Sequence, residues 1–370
     1  MSEDVELQFG KGLISGYLSA LLGILSLMGV LCFYFPEFLT VEDMRASYSE
    51  GFVRGTLFTT LVFAYFLGII SFVLNRSKKL ALVGIISALI ATLAGGAGVE
   101  IKAFEPSPYS FGLDWFALSL IFSMIIFIPI EKSFALHKDQ KILRKGWRTD
   151  VSYFFVSHLL IQFSLLFATA FTEDWFGWLA IPSVQEGVRS MPIWLQFILA
   201  TFMADLCQYL CHRFHHKVRF LWRFHSIHHS AEHMDWLAGS RTHFLEVLMT
   251  RSIVMLPLYA LGFDQAALNG YITLVGLQAV AIHANLGINF GWLRYVLVTP
   301  QFHHWHHAKD HDYVDANYAV HLPIIDMMFG TYRCPKGEWP KEYGIISGKP
   351  PEGIWKQFLH PLKPRWKKKK

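Results

Sequence analysis

The sequence is poor in charged residues. Asp, Glu, Lys and Arg make up 16% of its 370 residues, whereas a soluble globular protein carries roughly 25%. Hydrophobic residues reach 53%, and the mean hydropathy is +0.33. This composition argues against an ordinary soluble enzyme and against a disordered chain. The net charge of +5 is small, and it fits an anionic membrane surface better than a nucleic acid.

Cysteines are few, and cofactor-binding motifs are missing. The four cysteines lie too far apart for a disulfide scaffold or a zinc ribbon, and we interpret Cys207 and Cys211 as packing residues on one helix face. The sequence has no GxGxxG motif after a strand and no HPGG-like haem loop, so nicotinamide, flavin or haem binding is not expected. The N-terminus, MSEDVELQFGKG, lacks the basic region of a secretory signal peptide.

Long apolar runs are present instead, and a spanning helix needs about 20 such residues. The clear runs are Leu13–Phe35, Phe52–Leu74, Leu80–Val99, Trp115–Ile130, Val151–Phe171 and Ile193–Cys211. Phe244–Phe263 and Ala266–His283 are less clean, and we expect them to dip into the bilayer and return. Lys and Arg are concentrated in the loops after the second and fourth runs. This distribution predicts cytoplasmic termini and places the chain after Cys211 on the cytoplasmic side.

Three regions are expected along the chain. Residues 1–131 form an N-terminal four-helix transmembrane region, residues 132–335 carry most of the histidines, and residues 336–370 form a basic cytoplasmic tail. The tail ends in KPRWKKKK, which we interpret as a basic stop on an anionic leaflet. A dilysine-type retrieval signal is the alternative if the source is eukaryotic. The expected location is the bacterial inner membrane, or the endoplasmic reticulum of a eukaryote.

Histidine is abundant, and it is clustered. Three groups have fixed spacing: HxxxH within His212–His216, HxxHH within His225–His229, and HxxHH within His303–His307. Residues i, i+3 and i+4 share one helix face, so each group is expected to aim its imidazoles at one point. Imidazole suits iron, zinc, copper and nickel. Eight or more imidazoles are roughly twice what one tetrahedral ion takes, so the sequence predicts two metal ions.

The motifs and their flanking residues resemble the fatty acid hydroxylase/sterol desaturase superfamily of membrane di-iron enzymes. The segments that carry the resemblance are Asp205–His216, Phe224–Ser230, Arg241–Glu246, His283–Asn285, Thr299–Asp310, Asp315–Tyr318 and Asp326–Tyr332. The resemblance implies an all-α, polytopic membrane helical bundle with a cytoplasmic, histidine-rich di-metal cap. It also implies two iron ions, replaceable by zinc on purification, that use O2 to hydroxylate or desaturate a C–H bond of a sterol or fatty-acyl lipid. Electrons are then expected from a separate ferredoxin or cytochrome, and no nucleic-acid partner is expected.

The resemblance also implies roles for individual residues. The implied metal ligands are His212, His216, His225, His228, His229, His283, His303, His306 and His307. Some members have one more histidine where this chain has Ala279, so water or His243 is a candidate replacement, and Asn285, through a bound water, is a weaker one. Candidates for contacts with the ligand imidazoles are Asp205, His233, His243, Glu246, Asn285 and Asp310. His215 and His304 are expected outside the ligand set, because adjacent helical residues point about 100° apart.

Two other functions remain open from the sequence. The first is a metal-binding membrane protein, either a transporter or a sensor, because imidazole sites bind zinc more tightly than ferrous iron. A transporter should carry its ionisable ligands at mid-membrane, whereas these clusters follow the apolar runs. The second is a family member that has lost catalysis and acts as a lipid-binding scaffold.

Two further sets of residues have alternative interpretations. Trp222, Trp236 and Trp292 can line a lipid tunnel or anchor the protein at the membrane interface. The basic residues near the first two histidine groups can dock an acidic electron donor or contact lipid headgroups. These basic residues are Arg213, Lys217, Arg219 and Arg223.

Overall fold

The computed structural model describes residues 5–100, 107 and 110–363. Within these ranges the regular structure is helical, without a β-strand, and Ala308 and Tyr343 form an isolated antiparallel bridge. The all-α fold class predicted from the sequence is confirmed. The basic end of the tail, residues 364–370, lies outside the described residues. The chain divides into two compact units, one formed by Val5–Phe122 and His158–Phe163, the other by Ser123–Ser157 and the residues from Ser164 onward.

The α-helices are numbered in chain order. They are α1 (Leu13–Tyr34), α2 (Pro36–Leu39), α3 (Glu42–Ser47), α4 (Glu50–Leu74), α5 (Lys79–Leu93), α6 (Leu113–Ser133), α7 (Trp147–Leu159), α8 (Ile161–Phe176), α9 (Pro182–Arg189), α10 (Ile193–Lys217), α11 (Arg219–His225), α12 (Phe244–Leu261), α13 (Gln265–Ala281), α14 (Pro300–His306), α15 (Pro323–Met328) and α16 (Ile354–Leu359). Short 3₁₀ turns follow several of them.

Six helices in the described part are long and apolar enough to cross a membrane: α1, α4, α5 with the turn that follows it, α6, α10 and α12. The chain is therefore a multi-pass membrane protein. The predicted run Val151–Phe171 forms two helices bent by 49° at a short break, and it adds a seventh span only if the pair counts as one. Helix α13 has 17 residues and is not among the candidate spans. The membrane side on which the termini lie stays a prediction.

The first unit is a bundle of α1, α4 and α5 that packs through small residues. A Cβ atom added to Gly23 would lie 2.3 Å from the carbonyl oxygen of Gly84, so the backbones of α1 and α5 are in direct contact. The Ser19 hydroxyl donates to the carbonyl of Ala64 at 2.7 Å. Small residues and interhelical hydrogen bonds are the usual means of helix association in lipid, where the hydrophobic effect does not drive helices together.

The second unit is organised around α10, which packs against α11, α12 and α13. Local capping fixes where the histidine-bearing helices begin. Helix α14 starts at Pro300, and the Thr299 hydroxyl before it accepts from the amide of Phe302 at 3.4 Å. A proline at the first position suits a helix start, because its missing N–H would have no intrahelical partner there. The chain from His307 to Leu322 is irregular and returns along α10.

Candidate metal centre

Nine histidines converge in the second unit and form two groups. The first group contains His212, His216, His225, His229 and His306, and the second contains His228, His283, His303 and His307. Within each group, one ring nitrogen per residue lies within 4.8 Å of all the others. Eight of these side chains are buried and His216 is half-buried. These nine are the residues for which the resemblance implied metal ligation.

The second motif divides between the two groups. His225 and His229 belong to the first group, whereas His228 belongs to the second. The expectation that this motif aims its imidazoles at one point is therefore wrong. His225 ends α11 and His228 begins a 3₁₀ turn, so this motif does not lie on one continuous α-helix.

The third motif also divides, although most of it is helical. His303 and His307 belong to the second group, and His306 belongs to the first. His303 and His307 are one turn apart and share a face, while His306 points elsewhere because successive helical residues are about 100° apart. Only the first motif behaves as expected, since His212 and His216 on α10 enter the same group.

Hydrogen bonds to the outer ring nitrogens fix the tautomer of five imidazoles. Carbonyl oxygens accept from Nδ1 of His212, His228, His283 and His306 at 2.6–3.2 Å, and a Glu246 carboxylate oxygen accepts from Nδ1 of His225 at 2.6 Å. A carbonyl oxygen can only accept, and so can the Glu246 carboxylate in its ionised form, so the proton is on Nδ1. The Nε2 atom of each of these rings therefore keeps a free lone pair.

The Nε2 atoms face one another at short distances. Nε2 of His212 lies 3.0 Å from Nε2 of His225, and Nε2 of His228 lies 3.4 Å from that of His283. Neither nitrogen of each pair carries a proton, so the lone pairs repel unless a cation lies between them. Two nitrogens each about 2.1 Å from one ion, at a right angle, are about 3 Å apart. The donor set and its geometry thus fit one metal ion in each group.

Burial keeps these imidazoles neutral. Desolvation, followed by the neighbouring imidazoles, lowers the pKa well below the usual value for His225, His228, His229, His303, His306 and His307. Burial also lowers the pKa of His283 to about 4. Metal ligation requires unprotonated imidazole, so the ring nitrogens are ready to bind a cation at neutral pH.

Two predicted acidic neighbours of the ligands differ in what they contact. Glu246 accepts from Nδ1 of His225, and its second carboxylate oxygen is buried without a hydrogen-bond partner among the described residues. Asp205 touches no imidazole of the two groups. Its carboxylate accepts from the backbone amides of residues 320–322 at 3.0, 3.1 and 2.7 Å. The shared helix face with His212 was correct, but the carboxylate is used by a returning stretch of backbone.

The other predicted neighbours lie away from the two groups. His243 caps α12 and packs on Phe358, with its Nε2 atom 3.1 Å from the carbonyl of Phe358, so it does not fill the tenth position. Asn285 pairs with both backbone groups of His137. Asp310 is exposed and accepts within its own loop. His233 is half-buried and lines a polar cavity.

The adjacent histidines lie outside both groups. Nδ1 of His215 donates to the carbonyl of Cys211 at 2.7 Å, one helical turn back. His304 lies between the Tyr343 hydroxyl at 2.9 Å and the carbonyl of Ala284 at 3.1 Å. The position of the missing tenth histidine, Ala279, contributes its carbonyl oxygen, which accepts from Nδ1 of His283.

The three tryptophans singled out from the sequence have different surroundings. Trp222 covers the first group, with ring centroids 5.2 Å from His216 and 5.5 Å from His229. Trp236 is buried against Phe154, and Trp292 is 74% exposed. Only Trp222 thus contacts the metal-ligating candidates.

Sequence reasoning missed the backbone that orients the rings. The carbonyls of Ala316 and Tyr318 accept from His306 and His212 at 2.8 and 2.6 Å, and His216 hydrogen-bonds to the backbone of Val314. A carbonyl acceptor has no residue signature. The only signal was that Asp315–Tyr318 belongs to the segments that carry the family resemblance.

Comparison with known proteins agrees with this geometry. Residues 197–331 match the family model described as fatty acid hydroxylase. An ornithine lipid hydroxylase of Rhizobium tropici is 29% identical over 177 residues, 48% of this chain and 53% of that protein. An alkylglycerol monooxygenase of Xenopus tropicalis is 31% identical over 139 residues, 38% of this chain and 30% of that protein. A very-long-chain aldehyde decarbonylase of Oryza sativa is 26% identical over 199 residues, 48% of this chain and 30% of that protein.

The chain thus spans about half or less of the length of these relatives. No solved structure matches it. The matched segment, residues 197–331, contains all nine histidines of the two groups. The family match and the superfamily resemblance read from the motifs therefore concern the same residues, and this segment of the chain is similar to the fatty acid hydroxylase family.

Proposed function

We propose that this protein is a di-iron, O2-dependent oxidoreductase that hydroxylates an unactivated C–H bond of a membrane lipid. The observation that carries the proposal is the pair of histidine groups in which unprotonated Nε2 atoms face one another at about 3 Å. The names of two relatives, a lipid hydroxylase and an alkylglycerol monooxygenase, support hydroxylation over desaturation. The six candidate spans support a substrate that comes from the bilayer.

Iron is proposed because the reaction needs a metal that changes oxidation state. Zinc would fit imidazole ligands but has no redox chemistry. One ion would be held by the five histidines of the first group and the other by the four of the second. When bound, the two irons would supply the reduction of O2 and the oxidising power that breaks the C–H bond.

The protein residues supply three conditions for that chemistry. Burial keeps the imidazoles unprotonated, so protons do not compete with the metal at neutral pH. Carbonyl oxygens and Glu246 hold the outer nitrogens and fix the direction of each Nε2 lone pair. Trp222 packs over the first group and shields it from water, which strengthens electrostatic interactions inside the site.

The overall reaction requires an electron donor. One C–H bond, one O2, two electrons and two protons give one alcohol and one water. A separate ferredoxin or cytochrome is proposed as the source of electrons, since the sequence carries no fingerprint of a bound flavin or haem. Arg219 is exposed and is available for docking, whereas Lys217 already pairs with Asp315 at 2.6 Å.

The proposed substrate is a lipid with a long alkyl or acyl chain. The relatives are named for an ornithine lipid, an alkylglycerol and a very-long-chain aldehyde. These three compounds share a hydrocarbon chain, and none of the names refers to a sterol. This comparison favours an acyl or alkyl lipid over the sterol that the family resemblance left open.

The test is lipid mass spectrometry under labelled oxygen. Purified, iron-loaded protein is incubated with a chemical reductant, ¹⁸O2 and liposomes that contain acyl, ether and sterol lipids. We expect a product heavier by one ¹⁸O atom, its loss in His306→Ala, and its retention in His311→Ala, which removes an exposed histidine outside both groups. Iron-loaded wild-type protein that oxidises no lipid of the panel would refute the proposal.

A further inference from the structure

The backbone behind the first histidine group is held by two buried carboxylates. Five consecutive amides, from Tyr318 to Leu322, donate to carboxylate oxygens. Asp326 accepts from Tyr318 and Ala319 at 2.8 and 2.7 Å, and Asp205 accepts from the next three amides. Both carboxylates are fully buried. Buried charges are retained where hydrogen bonds satisfy them, so this arrangement fixes an otherwise irregular stretch of chain.

One peptide group connects Asp326 to a ligand imidazole. The amide of Ala319 donates to Asp326 at 2.7 Å, and the carbonyl of the same peptide group, which belongs to Tyr318, accepts from Nδ1 of His212 at 2.6 Å. The order of contacts is carboxylate, peptide N–H, peptide C=O and imidazole N–H. A negative charge on the amide side polarises the peptide group and makes its carbonyl a stronger acceptor, because hydrogen bonds in a chain strengthen one another at low dielectric.

We propose that Asp326 is a positioning residue for the first metal site, acting on His212 through the peptide group between Tyr318 and Ala319. It would do indirectly what Glu246 does directly for His225, namely make the imidazole a better metal donor and hold its orientation. The first site thus receives two carboxylates. In the second group, Nδ1 of His283 donates to the backbone carbonyl of Ala279. Among the described residues, the N–H of that same peptide group does not donate to a carboxylate.

Asp205 provides a matched comparison within the same stretch of chain. It is as deeply buried as Asp326 and accepts one more amide. The peptide groups that it contacts differ from the one that touches His212, since the ligand imidazoles donate to other carbonyls. If the two carboxylates serve only to hold the backbone, the loss of metal affinity in each variant should follow its loss of unfolding temperature. If the charge acts through the peptide group, Asp326→Asn should lose more affinity than its loss of unfolding temperature accounts for, and more than Asp205→Asn.

The test measures metal affinity rather than turnover. Metal-free protein in detergent is titrated with Co²⁺, followed by visible absorption, and the unfolding temperature is recorded for each variant. We expect Asp326→Asn to weaken one of two Co²⁺ sites by about 10- to 100-fold and to leave the other unchanged. Asp205→Asn should lose at least fivefold less affinity at that site. Equal losses in the two variants, or wild-type affinity in Asp326→Asn, would overturn the proposal.

A second variant covers the case in which Asp326→Asn does not fold. The Thr331 hydroxyl also donates to Asp326, at 2.7 Å, so Thr331→Val removes one donor and leaves the Asp326 side chain itself unchanged. Because burial raises the pKa of Asp326 and this hydrogen bond lowers it, the titration is run at about pH 8, where the carboxylate is ionised. We expect Thr331→Val to lower the unfolding temperature but to keep or raise the Co²⁺ affinity of the first site. A parallel loss of stability and affinity would contradict the proposal. The proposal for Asp326 rests on the proposed function only in requiring that metal binds. Wild-type protein that binds two Co²⁺ ions but oxidises no lipid would refute the lipid oxygenase and leave the proposal for Asp326 standing.

Discussion

The contact between Glu246 and His225 predicts that removing the carboxylate weakens metal binding but does not destabilise the metal-free protein. In the wild-type protein the Glu246 carboxylate lies 2.6 Å from Nδ1 of His225. Glu246→Gln preserves the shape of the side chain and an oxygen acceptor for this nitrogen, but it removes the negative charge. Partners of this kind typically contribute 10- to 100-fold to metal affinity. This corresponds to about 1.4–2.8 kcal/mol of binding free energy. We therefore expect one of the two metal ions to bind that much more weakly.

The metal-free protein should respond differently. The second carboxylate oxygen of Glu246 is buried and has no donor among the described residues. A buried charge costs more free energy than a buried neutral amide. Removing the charge should therefore leave the unfolding temperature of the metal-free protein unchanged or raise it, while the stabilisation gained on adding metal becomes smaller.

The assay is thermal unfolding in detergent with and without saturating metal, together with a metal titration. The comparison variant is Glu342→Gln, which removes an exposed carboxylate outside both histidine groups and should change neither quantity. If Glu246→Gln lowered the unfolding temperature equally in both states, the carboxylate would serve the fold, and the reasoning about charge and metal would be refuted.

Three further predictions concern pH and packing. Burial lowers the pKa of His283 from 6.5 to about 4, so the unfolded chain takes up a proton at a higher pH than the folded protein does. The metal-free protein should therefore lose stability as pH falls from about 6.5 to 4, by roughly 3 kcal/mol for this residue alone. Thermal melts at several pH values test this, and a flat profile would contradict it. Gly23→Ala should lower the unfolding temperature, at a cost of about 1–3 kcal/mol, because the new Cβ would lie 2.3 Å from the carbonyl oxygen of Gly84, whereas Gly55→Ala, with no atom within 4 Å, should not. Asn317→Ala should be less stable than Asn317→Gly in chemical denaturation, by about 1 kcal/mol, because both lose the same side-chain hydrogen bonds and only alanine is strained at a φ of 61°; equal stability would remove the argument from strain.

The sequence was sufficient to find the histidines that converge, but not to show how they divide between the two groups. Histidine spacing identified eight of the nine side chains that converge, and the family resemblance supplied the ninth, His283. Spacing could not show that His228 and His306 enter a different group from the other histidines of their motifs, because residues i+3 and i+4 point about 100° apart and the tertiary structure decides which group each one reaches.

Contacts made by the backbone were equally out of reach. Asp205 was expected to contact an imidazole because it is two helical turns before His212, and the face was correct. Its actual partners are amides more than a hundred positions away in the chain. Almost every residue has a backbone N–H and a C=O group, so the residue type does not show which of them form a hydrogen bond. Hydrogen bonds between distant segments of the chain can therefore be found only from the tertiary structure. For the same reason the contact between Tyr318 and His212 could not be predicted.

The division of the two HxxHH motifs between the groups has a consequence for how such a centre arises and is lost. Each ion would draw ligands from both motifs, so deleting either motif, or inserting one residue inside it, damages both ions at once. A lineage therefore has no simple route from two ions to one by discarding a single stretch of sequence. The same interleaving means that a duplicated one-ion ancestor, with each motif serving its own ion, would have had to exchange ligands between halves to reach this arrangement.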